Sequence, residues 1–245
     1  MNDGATGVYT VSTKIYSMIK ALINALVMVT VPRFSYYLAH NMTERYKKTL
    51  SRIADSLIII TLPVIIGLFL EAHKILELVA GTNYFSGESV VKILSIAIFF
   101  ATMSCFFSYG ILLPNRLEKY FLLSTTVAAI VNISLNLLFI PLFGINGAAL
   151  TTLLAEVIVF TITAACSYKT IIFKISKKNT LTVLIASVLL YLVCICIDRI
   201  NLNEIILLAL DIIIGAIVYL GVLLITNNSI VKKTIVLLNN KTRNR

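Results

Sequence analysis

The 245 residues include no tryptophan, two histidines, four cysteines and four prolines. Each scarcity excludes something. His40 and His73 stand apart from each other and from any Cys or carboxylate cluster, so no metal-ligand set is present and no metal site is expected. Cys105, Cys166, Cys194 and Cys196 lie inside apolar runs, where a thiol behaves as a small hydrophobe, and they show no disulfide framework. No P-loop occurs, so direct ATP hydrolysis is not expected, and no catalytic constellation or cofactor motif is evident. Charge is also scarce: Asp, Glu, Lys and Arg make up 13% of the chain, against about 25% in soluble domains.

Apolar residues are abundant, at 59% of the chain with a mean hydropathy of +0.96. One globule of this length could not hide that surplus from water. A water-soluble enzyme is thereby excluded. The net charge of +10 would need a basic face on a soluble body to serve nucleic acid, so no nucleic-acid partner is expected.

A bilayer core takes about 20 mostly apolar residues per helix and leaves no water for unpaired backbone groups. Windows of that kind predict seven spans in a single all-α integral membrane domain over 1–245, at about 7–31, 54–72, 90–113, 119–141, 146–168, 180–197 and 205–226. Residues 35–53 interleave Tyr36, Tyr37 and Leu38 with Arg45, Lys47 and Lys48, a pattern that suits a cytoplasmic interfacial segment. Pro63, in the second span, should bend it. Residues 227–245 form a basic tail.

Lys and Arg are retained on the cytoplasmic side of short loops. Sixteen of the 21 basic residues fall in alternate connections and the tail: Arg33, Arg45, Lys47, Lys48 and Arg52; then Arg116 and Lys119; then Lys169, Lys174, Lys177 and Lys178; then Lys232, Lys233, Lys241, Arg243 and Arg245. The opposite connections hold Lys74, Lys92 and Arg199 beside Glu71, Glu77, Glu88, Asp198 and Glu204. The expected orientation puts the N-terminus outside and the C-terminus in the cytoplasm. The opening MNDGATGVY does not read as a cleavable signal peptide. An outside start is natural for a piece preceded by an odd number of spans, and seven more would make fourteen.

Lys14 and Lys20 remain, inside the first span. At helical spacing Thr10, Thr13, Ser17, Lys20 and Asn24 form one stripe bordered by Lys14. An intramembrane lysine costs a few kcal/mol unless it meets a hydrated cavity or an acid, so Lys14, Ser17, Lys20 and Asn24 are candidate cavity residues for an anionic headgroup. Glu156 in the fifth span is the candidate partner of Lys20. Asn132 and Asn136 share a face of the fourth span, consistent with either interhelical hydrogen bonds or ion coupling. Asp211 in the seventh has no basic residue within a helical turn, and Asp55 reads as a surface partner of Arg52.

The run GVYTVSTKIYSMIKALINALVMVTVPRFS (7–35) resembles the eighth helix of polysaccharide flippases of the multidrug/oligosaccharidyl-lipid/polysaccharide exporter superfamily. NISLNLLFIPLFGINGAALTTLLAEVIV (132–159) is similar to their joined eleventh and twelfth helices, and ILLPNRLEKY (111–120) to the loop before them. The resemblance implies the C-terminal half of a fourteen-helix transporter with a cationic central cavity and alternating access. It implies as passenger an undecaprenyl-diphosphate-linked oligosaccharide crossing the bacterial inner membrane for O-antigen or capsule assembly. Implied partners are the bilayer, a missing N-terminal half and polysaccharide polymerase machinery. A multidrug or cation antiporter of the same superfamily would need cavity acids where the first span offers Lys. A membrane enzyme of glycan assembly would need clustered acids or His at a membrane face, which the sequence does not reveal.

Overall fold

Where water is absent the backbone must pair with itself, and the apolar chain accordingly resolves into helices. The computed structural model describes residues 3–200, 202–228 and 230–232. Lys233, Lys241, Arg243 and Arg245, most of the basic tail, lie outside them. Helix α1 (Asp3–Met28) leads through a turn to α2 (Val31–Ala39), α3 (Thr43–Leu70) and α4 (Ala72–Ala80). A 3₁₀ turn (Thr82–Gly87) opens α5 (Glu88–Phe107), which ends in a π turn (Ser108–Leu112). Helices α6 (Glu118–Thr170), α7 (Lys177–Ile197) and α8 (Glu204–Ile225) complete the order.

Among the described residues six helical stretches have the length and apolarity of a membrane crossing. The longest, α6, holds two rods. Gly144 breaks it with φ 58° and ψ −133°, a left-handed backbone that glycine adopts without steric cost. The chain folds back tightly there, and a Cβ on Gly147 would stand 2.2 Å from the carbonyl oxygen of Phe139. The protein is therefore an all-α, multi-pass membrane fold.

Residues 35–53, the segment expected at the interface, are helical on both sides of a turn. They close α2, turn at Asn41 with φ 54°, and open α3. One face of the start of α3 packs inward, with Tyr46 and Leu50 wholly buried and Tyr46 against the Phe34 ring, while Arg45 and Lys48 stay exposed. Asp55 differs from expectation. It is buried, and its two oxygens accept hydrogen bonds from the Ser176 backbone N–H at 3.1 Å and from Asn179 Nδ2 at 2.9 Å. That carboxylate joins α3 to the start of α7.

Helix α5 forms the centre. Of its most apolar window 72% is buried within the protein, against 17% for α1 and 6% for α6. Charges separate toward the two ends. Tyr46 donates to the Gly110 carbonyl at 2.8 Å and accepts from Asn115 at 3.2 Å, bringing two basic connections together. Ser89 donates to Asn146 at 2.6 Å at the other end, beside the Gly144 fold-back.

Candidate functional site

The lysine stripe of α1 meets α6 across a cavity of about 360 Å³. Lys20 forms an ion pair with Glu156 Oε1. Tyr16 donates to the same oxygen at 2.8 Å, and the ammonium stands 5.3 Å from the Tyr16 ring centroid, within cation–π range. Asn24 and Thr125 line the cavity, and the side-chain oxygen of Asn24 is buried with no hydrogen-bond partner among the described residues. Lys20 and Glu156 keep 31% and 15% side-chain exposure, so the pair remains open to a ligand. One cation, one anion, a phenol and an unpaired amide oxygen can together bind a polar, anionic group.

Lys14 and Ser17 stand apart from this cavity. Both are exposed, and neither lines it. One hundred degrees per residue places them on the same stripe, but the stripe rotates from the cavity to the open side of α1 along its length. Asn132 and Asn136 are bonded to each other at 3.0 Å, and Thr151 donates to Asn136 Oδ1 at 2.6 Å across the α6 fold-back. The Thr151 bond joins the two rods of α6. A polar network of this sort offsets the cost of amide groups in an apolar setting.

Asp211 has a partner that sequence spacing did not reveal. Lys74 of α4 reaches it at 2.9 Å, reaches Glu71 at 2.7 Å, and pairs with Asp198 at the end of α7. Glu71, Lys74 and Asp211 are nearly inaccessible, whereas Asp198 is more open. Burial raises the Glu71 carboxyl above its ordinary range despite the hydrogen bond to Lys74. Burial also works against the Lys74 charge, but its hydrogen bonds to Asp198, Glu71 and Asp211 prevail and raise its pKa. Cys194 lies near Glu71 and Asp211, yet the Lys74 ammonium already stands between those carboxylates. The cluster has its own internal cation. The one hint in the sequence was the excess of acids in the connections around Lys74.

A family model, "Lipid II flippase MurJ", matches residues 1–221. A solved structure titled "Lipid II flippase MurJ, inward closed conformation" superposes with a TM-score of 0.79 at 18% identity, covering 96% of this chain and 49% of that one. The chain thus spans about half the length of the structure it resembles. No curated protein gives a match.

Proposed function

The chain belongs to the lipid II flippase family, a family of transporters and not of enzymes, and on that premise we propose that it forms one lobe of a flippase for a polyprenyl-diphosphate-linked glycan. The observation carrying this reading is the Lys20–Glu156 pair beside Asn24 in one partly open cavity, with the buried Tyr16 bonded to Glu156. An ammonium in a low-dielectric cavity attracts a diphosphate strongly. Glu156 holds Lys20 in the absence of that ligand and yields its place when the ligand arrives. Asn24 offers an acceptor to a sugar hydroxyl or amide N–H. Alternating access, with the second lobe supplying the opposite wall, would open this cavity to each face in turn.

The substrate moves, on the family's name, from the surface-polysaccharide units expected from sequence to lipid II. The orientation proposed is the one read from the basic loops, with the basic end in the cytoplasm and the membrane a bacterial inner membrane. Lys14 and Ser17, on the open side of α1, would face the complementary lobe, and Asp211 would serve the fold instead of the cavity.

Native mass spectrometry of the detergent-purified chain with lipid II tests the proposal. The expected result is a bound complex, weakened at least about tenfold by Lys20→Gln, as removal of one ammonium from a desolvated anion site implies. Equal lipid II binding by Lys20→Gln would overturn the role of Lys20.

A further inference from the structure

A second cavity, of about 640 Å³, lies at the basic end, far in sequence and in chemistry from the Lys20 site. Its walls come from two segments more than a hundred residues apart: the start of α3, with Arg45, Lys47, Lys48 and Ser51, and the connection between α6 and α7, with Ile172 and Lys174. Four cations line it against one acid. That acid, Glu44, is exposed and stands 3.4 Å from Lys47. Lys48 and Lys174 are exposed and have no ion-pair partner among the described residues.

The shape of this groove is fixed from behind. Phe173, between Ile172 and Lys174, is buried, with its ring 5.7 Å from that of Phe106 and stacked on Tyr168 at 5.8 Å. Two residues past Lys174, the Ser176 N–H is held by Asp55 of α3. The connection is therefore fastened on both sides of Lys174, to α5 and α6 through Phe173 and to α3 through Ser176. Lys174 thus lines the same groove as Lys48 on a backbone that is held in place.

The flanks select the ligand. Ile172 is 74% exposed beside these cations, a poor arrangement for a surface that meets only water. Lys174 also lies just ahead of α7, and Lys48 just ahead of the apolar part of α3, so both stand where polar chain gives way to bilayer-length helix. A ligand with a phosphate at one end and hydrocarbon at the other satisfies both walls. We propose that this groove binds the phosphate group of an anionic membrane lipid, with the acyl chains passing over Ile172. It is separate from the transport cavity and holds whether or not the reading of Lys20 does.

The test uses the whole chain, purified in detergent and titrated with phosphatidylglycerol or phosphatidylcholine by native mass spectrometry, with inorganic phosphate as competitor. Phosphatidylglycerol should bind in preference. Lys48→Gln or Lys174→Gln should weaken it about fivefold each, and the double variant about thirtyfold, the effect of about one elementary charge at a time near the interface. The pair Lys177→Gln and Lys178→Gln removes equal charge from the nearby start of α7, outside the groove, and should change binding less than about twofold by the same measure. Undiminished binding by the Lys48/Lys174 double variant would overturn the proposal. So would an equal loss in the Lys177/Lys178 variant, which would mean diffuse attraction. Displacement of the lipid by millimolar inorganic phosphate would assign the groove to a soluble phosphate and overturn the lipid.

Discussion

Lys20 and Lys74 are both lysines held by carboxylates within an apolar fold, and they are built to opposite ends. Lys20 faces one acid across a cavity, with about a third of its side chain accessible. Lys74 faces three acids with 10% of its side chain accessible, and Asp211 beside it has 1%. The exposed pair can exchange its internal partner for an outside one at small cost, because water or ligand replaces what is broken. The buried cluster cannot, because any vacancy leaves a charge without solvent. Accessibility, more than the number of ion pairs, separates a site from a fastening.

The largest expected effect comes from emptying the buried cluster. Lys74→Met leaves Glu71 and Asp211 facing each other without a cation, and the loss of one partner of a buried pair costs about 3–5 kcal/mol. Thermal unfolding in detergent should show it, and adding Asp211→Asn should return part of the loss. Next is pH. A carboxyl whose pKa is raised by folding binds its proton more tightly in the native state, so its contribution is full below the ordinary carboxylate range and is lost as pH rises through the folded value. Stability should therefore increase as pH falls from neutral toward that range, and Glu71→Gln should flatten the dependence measured by the same unfolding assay.

At the open pair the expected losses are smaller. Glu156→Gln keeps a hydrogen-bond acceptor for Tyr16 and should cost about 1 kcal/mol or less. A melting-temperature loss as large as that of Lys74→Met would erase the contrast between the two lysines. The smallest effect belongs to Asn136→Leu, which removes one hydrogen bond between the α6 rods, from Thr151, of a kind worth about 0.6 kcal/mol in membrane proteins. Unfolding of that variant beside the Glu156 variant gives the order of the last two.

Lys20 and Glu156 were legible in the sequence because a lone charge inside a 20-residue apolar run demands a partner, and only a few are available. Apolar windows of bilayer length likewise marked the long helices and the short break between 141 and 146, where Gly144 turns the chain. Lys74 was not legible as a cluster centre, since Glu71 and Lys74 sit at a span end that reads as solvated. The convergence of Asp198 and Asp211 upon them depends on how α7 and α8 pack on α4. Asp55 was misread for the same reason: i, i+3 spacing names Arg52, whereas tertiary packing delivers Ser176 and Asn179. The rotation of Lys14 away from the cavity required the actual position of α6. Periodicity orders residues on a helix but does not say where a neighbour ends.

Asp55 has a mechanical consequence. It ties α3 to the start of α7 at one end of the bundle, while Lys74 ties α4 to the end of α7 and to α8 at the other. Between them Tyr219 of α8 donates to the Ile59 carbonyl of α3 at 2.6 Å. Three fastenings at three depths oppose a swing of α7 and α8 against α3. The last two helices are thus tied to α3 and α4 along their length, while α1, the helix that carries Lys20, is sparsely buried.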